Sequence, residues 1–293
     1  MDGTNTLVQL VIAGLSIGSI YALIALGFNI VFKCTGAMNF AQGEWVMMGG
    51  MVTAALFGVF SSVGLAVVTA TVLIGAIGLV SERITIWPVR RPDPMTLTLV
   101  TVGLAIVSRS LVMIFLGKMP AGYSGFSGTD VISIEGVTVQ TQSLWIIAIT
   151  LLFLVLMHFF FERTVLGKAL RAVSADPQAA SLVGIPSSQM LMLAFGLAAL
   201  AGGIAGAIVT PLTLMTYDQG ATLGFKGFSA AMLGGIGNLP GAVVGGLLLG
   251  LIETFGSFYI SSHFKDAISF AVLLLILFMR PAGLFGRVEV VKA

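Results

Sequence analysis

Long apolar stretches separated by short charged segments dominate the chain. A charged side chain at the centre of a bilayer costs about 2.5–3.5 kcal/mol on insertion scales, and a membrane-spanning helix needs about 20 mostly apolar residues. No Asp, Glu, Lys or Arg occurs at 3–32, 45–81, 94–108, 136–161, 177–217, 227–252 or 267–279. The pattern predicts an all-α, polytopic integral membrane protein with one transmembrane domain over 1–293. The candidate spans are 7–32, 44–60, 63–86, 95–117, 143–161, 189–210, 220–237, 240–262 and 265–281.

Two segments make the number of crossings eight or nine. The candidate at 220–237 is short and rich in glycine, which favours a broken or re-entrant helix. Residues 34–43, between the first two spans, are the second: if they dip into the membrane, the number of crossings and its parity change. A membrane tolerates irregular backbone only where protein buries it or where it lines a cavity.

Lys and Arg positions predict the orientation, because cytoplasmic loops carry an excess of them. The first apolar run lacks a basic flank and is too long for a cleavable signal, so we interpret it as the first span. With the N-terminus outside and nine crossings, the cytoplasmic cations are Lys33, Arg83, Arg90, Arg91, Arg163, Lys168, Arg171, Arg280, Arg287 and Lys292. Those outside are Lys118, Lys226 and Lys265. The loop 118–142 is then external, and 162–188 is the main cytoplasmic loop.

The cytoplasmic loop carries the signals of one short helix. Asp176 is a favoured N-cap, Pro177 suits the first helical position, Gly184 suits a left-handed residue after the helix, and Pro186 prevents continuation. These signals predict a helix of about two turns over 177–183. So short a helix is marginal alone in water, so it needs a surface to dock on. That surface is a soluble partner or the chain's own membrane domain.

Composition excludes several classes of protein. Charged residues make up 9% and apolar residues 57% of the chain, mean hydropathy is +1.08, and net charge is +2. A soluble domain carries roughly 25% charged residues. The small, dispersed net charge argues against nucleic-acid binding. The single cysteine, Cys34, excludes an intrachain disulfide framework, and no cluster has metal-ligand spacing.

Five stretches of the chain carry a recognisable pattern: Gly14–Leu23, Met38–Glu44, Gly167–Ile185, Phe225–Ala242 and Arg280–Gly286. Taken together, they resemble the LivH-type permeases of ABC importers for branched-chain amino acids. The resemblance extends over about 7–286. One position departs from the family pattern: the usual His of the second stretch is Gln42, which cannot carry a proton near neutral pH.

The resemblance implies one half of an ATP-driven importer in the bacterial plasma membrane. The expected partners are a second permease subunit, two cytoplasmic ATPases that bind ATP and Mg²⁺, and an extracytoplasmic substrate-binding protein. Related subunits carry urea, short amides or aromatic acids. The chain itself has no phosphate-binding G-x-x-x-x-G-K-[ST] motif, so we expect a transport subunit and not an enzyme. The coupling residues expected from the resemblance are Arg171, Asp176, Pro177, Ala180, Leu182 and Gly184.

Two charged residues are predicted deep within the spans. Arg109 lies 15 residues after Pro94, or about 22 Å, and Glu253 lies 13 residues after Pro240, or about 20 Å. Similar depth predicts that they pair or that both line a polar path, where they could meet the carboxylate and ammonium of an amino acid. A buried ion pair that only fixes packing is the alternative.

The remaining candidates are polar residues near the second span and ridges of small residues. Asn39, Gln42 and Glu44 are expected on the translocation path, with helix capping as the alternative. Small residues at every fourth position let helix backbones approach closely. The predicted packing glycines are Gly14, Gly18, Gly237, Gly241 and Gly245. A secondary transporter or channel is the rival function, but it is expected to show a second broken helix in an inverted repeat.

Overall fold

The fold is a bundle of helices with one small hairpin. The computed structural model describes residues 3–89, 93–128, 130–134, 137–280 and 282–286. Its elements are α1 (Gly3–Thr35), α2 (Gln42–Phe60), α3 (Val63–Ser81), a π-helical turn (Glu82–Ile86), α4 (Pro94–Phe115), β1 (Val131–Ile134), β2 (Val137–Gln140), α5 (Thr141–Arg163), α6 (Val165–Ala175), α7 (Pro177–Leu182), α8 (Ser187–Thr213), α9 (Gln219–Gly234), α10 (Leu239–Tyr259), a 3₁₀ turn (Ser262–Phe264) and α11 (Lys265–Met279). Arg90, Arg91, Pro281, Arg287 and Lys292 lie outside the described residues.

The charge-free stretches predicted the spans well. Within the described ranges, eight helices are long and apolar enough to cross a membrane. They are α1, α2, α3 with its π-helical turn, α4, α5, α8, α10 and α11 with its 3₁₀ turn. Their ends lie within a few residues of the predicted ends.

Asp93 caps α4, and hydrogen bonds from the Thr96 side chain and backbone hold the pKa of its carboxyl below the usual value.

Two opposite faces of the bundle can be told apart by contacts. One face carries α6 and α7 and is called the α7 face here. The C-terminal end of α1 reaches it, because Cys34 Sγ lies 3.3 Å from Ser174 Oγ of α6. The opposite face carries the antiparallel β1–β2 hairpin in the loop between α4 and α5. The sequence predicted that loop as polar but did not predict the hairpin.

Helix α1 lies at the centre and packs backbone to backbone on α10. A Cβ atom built on Gly18 would lie 2.8 Å from Leu247 Cα and 3.0 Å from the Gly246 carbonyl oxygen. Gly14 meets Leu251 in the same way, and Gly250 faces Gly18 from the other side. Small residues at these positions allow the two helices to touch along their backbones.

The second group of predicted glycines packs elsewhere. Gly241 and Gly245 of α10 lie against Gly234 and Ala230 of α9. Gly237 is not on a packing ridge, which corrects the prediction. It lies in the turn before α10 with φ +79°, and its N–H donates to Asn29 Oδ1 at 2.7 Å. A four-residue repeat in the sequence does not show where the helix begins, and here the helix begins after Gly237.

The chain re-enters the bundle between α1 and α2. Gln42, the first residue of α2, lies against Gly27 of α1, eight residues or about 12 Å before the end of α1. Its Nε2 donates to the Ala198 carbonyl, eleven residues or about 16 Å into α8. Residues 36–41 therefore dip inward from the α7 face, at one of the two places that the sequence indicated.

Helix α9 is short but unbroken. It has 16 residues, or about 24 Å, which is less than the roughly 30 Å of a hydrocarbon core. Its C-terminal end reaches the α7 face, where the Gly234 carbonyl accepts from the Phe285 N–H. Its first turn lies beside Glu44 in the bundle interior, and residues 214–218 lead there from the opposite face. The broken helix expected within 220–237 is therefore an unbroken helix that begins only inside the bundle.

The close α1–α10 contact gives a stability prediction. We expect Gly18→Ala to lower the free energy of unfolding by about 1–3 kcal/mol, because its Cβ must displace backbone atoms of α10. Thermal unfolding of the purified protein in detergent measures the change. Gly103→Ala in α4 is the control, since no atom lies within 4 Å of its Cβ position. Equal unfolding curves for the two variants would contradict the predicted contact.

Candidate functional site

The predicted helix in the loop between α5 and α8 is confirmed as α7. Asp176 Oδ1 accepts from the Gln178 N–H at 2.8 Å and the Ala179 N–H at 3.0 Å. Pro177 occupies the first helical turn, and Gly184 has φ +84° after the helix. The Ser187 hydroxyl donates to the Pro177 carbonyl at 3.1 Å, which ties both ends of the segment together. A two-turn helix is thus held by caps and not by its own length.

Helix α7 presents an apolar end away from the bundle. Ala180 is buried, whereas Leu182 is 88% exposed and Val183 is 76% exposed. Arg171 lies on the neighbouring α6 and forms an ion pair with Glu162 at 2.8 Å. Large apolar side chains this exposed at a capped, positioned helix are typical of a surface that a partner covers.

A cavity of about 950 Å³ lies beside α6 at the α7 face. Apolar residues of α1 and α5, such as Leu26, Ile30 and Leu154, line it. Its polar lining includes Lys33 and Arg171. It lies between the end of α1, the end of α5 and the turn before α10, so the bundle is less densely packed near α7 than around Gly18.

The re-entrant segment is fastened to α4 and α8 by hydrogen bonds. Thr101 Oγ1 of α4 accepts from the Phe40 N–H at 3.1 Å and lies 3.2 Å from the Met38 carbonyl oxygen. Asn39 Oδ1 accepts from the Ala41 N–H at 3.2 Å, so its side chain folds over the start of α2. Together with the bond from Gln42 to α8, these contacts fix the height at which α2 begins.

Glu44, not Glu253, is the partner of Arg109. Arg109 Nη2 lies 2.5 Å from Glu44 Oε1, and their side chains are 37% and 2% exposed. The predicted Arg109–Glu253 pair is wrong, because equal depth along two helices does not place them on facing sides. Glu44 had been singled out as a path or capping residue. It lies in the first turn of α2 and bridges α2 to α4.

Glu253 belongs to a separate network that joins α1, α9, α10 and α11. It accepts from Tyr21 Oη at 2.8 Å and Lys226 Nζ at 3.1 Å, and Lys265 Nζ lies 3.3 Å away. Ser269 Oγ also donates to it. Lys226 reaches Asp266 as well, at 2.7 Å. The sequence predicts Lys226 among the cations outside, but it is buried on α9.

Several buried polar atoms around Glu44 have no hydrogen-bond partner within the described residues. They are Asn39 Nδ2, Gln42 Oε1, Glu44 Oε2, Trp45 Nε1 and Arg109 Nε. Leaving such groups unpaired typically costs about 1–3 kcal/mol each. A polar ligand or water satisfies such groups, so Glu44 Oε2 and Arg109 Nε, which belong to one ion pair, are candidate binding atoms.

Comparison with known proteins identifies the family. The family model described as branched-chain amino acid transport system, permease component, matches residues 10–277. The high-affinity branched-chain amino acid transport system permease protein LivH of Salmonella typhimurium is 34% identical, with 95% of each chain covered. The corresponding protein BraD of Pseudomonas aeruginosa is 32% identical, with 97% of each chain covered. The probable permease LivH of Methanocaldococcus jannaschii is 23% identical over 92% of this chain and 89% of that protein. The chain therefore belongs to the family of branched-chain amino acid transport permeases that includes LivH and BraD.

Proposed function

We propose that this chain is one membrane subunit of an ATP-driven importer for branched-chain or related amino acids. The α7 face is cytoplasmic, as the Lys and Arg distribution predicts. ATP and Mg²⁺ bind to two partner ATPases, since the sequence has no phosphate-binding loop of its own. A second permease subunit completes the membrane part, and a binding protein delivers substrate at the opposite face of a bacterial plasma membrane.

The exposed, capped helix α7 is the observation that supports ATP-driven coupling. Leu182 and Val183 project an apolar surface from a helix that its own chain holds by Asp176 and Gly184. Such a surface fits a groove on a soluble subunit. We infer that movement of a docked ATPase is passed through α6 and α7 to α5 and α8, which alternately opens a path to each face.

The polar cluster near Glu44 supports a path for a polar substrate. Asn39, Gln42 and Glu44 are buried in the bundle, and the half-buried Arg109 of α4 pairs with Glu44 there. A membrane protein keeps ionisable groups inside for function or for close pairing. Glu253 does not line the proposed path itself. It belongs to the neighbouring network on α9 and α10. Gln42, in place of the family's usual histidine, cannot itself carry a proton near neutral pH.

The proposed function is tested in proteoliposomes that contain the chain with its second permease, ATPases and binding protein. We expect saturable uptake of radiolabelled leucine, isoleucine and valine that requires ATP and the binding protein. Urea, acetamide and phenylalanine serve as competitors. If one of these compounds competes for uptake and leucine does not, the importer would be assigned to the substrate class of that compound. Uptake that continues with a hydrolysis-deficient ATPase would contradict ATP-driven transport and favour a secondary transporter.

The contact surface on α7 gives a second prediction. We expect Leu182→Asn to reduce ATPase co-purification and leucine uptake by about tenfold or more, because a central apolar contact of an interface is lost. The chain and the permease pair should still assemble, since Leu182 contributes little to its own core.

Val165→Asn is the matched control. Val165 is 82% exposed on the same loop but lies at the start of α6, away from α7. Retained uptake in Leu182→Asn, or an equal loss in both variants, would show that α7 is not the coupling surface.

A further inference from the structure

Helix α9 begins inside the bundle without a cap. Asp218 stands at its N-cap position, but its side chain makes no capping bond and instead accepts from the Thr216 hydroxyl. The Gln219 N–H donates to the Thr216 carbonyl at 3.2 Å. Among the described residues, the next two N–H groups, of Gly220 and Ala221, have no acceptor. A helix N-terminus with free N–H groups and a positive dipole end favours an anionic ligand.

An unpaired acceptor faces the same point. Glu44 is 1% exposed, and its Oε2 atom has no hydrogen-bond partner. A Cβ atom built on Gly220 would collide with that oxygen, so the carboxylate lies directly against the first turn of α9. The other oxygen of Glu44 is held by Arg109, whose Nε is also without a partner. The Arg109 guanidinium and the first turn of α9 therefore both lie beside the Glu44 carboxylate.

We propose that Glu44, Arg109 and the first turn of α9 form a binding site for the head group of an α-amino acid. This inference depends on the proposed import function and assigns its substrate site. Glu44 Oε2 accepts from the substrate ammonium. Arg109 Nε and the N–H groups of Gly220 and Ala221 donate to the substrate carboxylate. A zwitterion supplies both charges at once, so the set of unused donors and acceptors is filled without adding net charge.

Aromatic side chains next to this site suit an apolar substrate side chain. Phe225 lies one turn after Ala221 on α9 and is 46% exposed. Its ring centroid is 6.3 Å from that of Phe40 and 6.4 Å from that of Phe270. These rings lie between the head-group site and the α7 face. A branched aliphatic side chain that follows its head group inward therefore meets apolar surface.

The described conformation is closed at this point. Gly220 lies against Glu44, and Gly224, one turn on, lies against Gly43 of α2. A substrate reaches Glu44 Oε2 only when the first turn of α9 moves away from α2. The glycines at 220, 224 and 43 leave no side chains interlocked across that contact, so the separation does not require rotamer changes.

The test measures leucine imported per ATP hydrolysed in proteoliposomes that hold the complete importer. We expect Glu44→Gln and Arg109→Gln each to lower this ratio by about tenfold or more, because a charge-assisted hydrogen bond to the head group is lost. Ser110→Ala is the matched control on α4. Ser110 is exposed next to Arg109, and its hydroxyl donates only to Ile106 of its own helix.

The double variant Glu44→Gln/Arg109→Gln separates binding from architecture. It leaves no unpaired buried charge, so we expect the complex to assemble, which co-purification of the second permease and the ATPases measures. Leucine imported per ATP should stay as low as in the single variants. A wild-type ratio in Glu44→Gln or in the double variant would overturn the proposal.

Two further outcomes remain distinct. A double variant that fails to assemble would assign the pair to architecture alone and would also overturn the head-group site. Failure of the wild-type importer to accumulate any branched-chain amino acid would reject the proposed function itself, which the variants do not address. Loss of leucine imported per ATP in an assembled double variant, against an unchanged Ser110→Ala complex, is the expected result.

Discussion

Close contact between glycine-rich helix backbones is the constraint on which this bundle depends. Lipid tails are as apolar as leucine, so helices in a membrane gain little from the hydrophobic effect and associate through packing and hydrogen bonds. Gly18 of α1 touches Gly250 of α10, and Gly49 of α2 touches Gly203 of α8. Any side chain there would push the helices apart. These contacts draw α1, α2, α8, α9 and α10 close enough for their few polar groups to meet.

Glu253 and Glu44, two of the three glutamates buried within the described residues, use that closeness differently. Glu253 is saturated, with donors from four residues on three other helices. Glu44 has one donor on one oxygen and none on the other. In a low-dielectric interior a satisfied network is rigid, whereas an unsatisfied one is costly unless something completes it. The first network therefore fastens α11 and α9 to the bundle, and the second retains capacity for a ligand.

Sequence reasoning predicted elements well and contacts less well. Charge-free stretches located the spans because insertion energy depends on composition along the chain. Asp176, Pro177 and Gly184 located α7 because caps and turns are local signals. The depth of Arg109 was predictable from helix rise, but its partner was not, because depth says nothing about which way a side chain faces. The late start of α9 depends on α2 entering beside it, which no local pattern encodes.

The Glu44–Arg109 pair also bears on the order in which the chain is made. Synthesis from the N-terminus delivers α2 with Glu44 before α4 with Arg109. A lone arginine in a new span costs about 2.5–3.5 kcal/mol on insertion scales. Because Glu44 is already in the bilayer, α4 inserts next to a residue of opposite charge. Lys226 has the reverse order, because α9 is made before α10 brings Glu253. In each pair, therefore, the charge that is made first, Glu44 or Lys226, stays unpaired until the helix that carries its partner has been made.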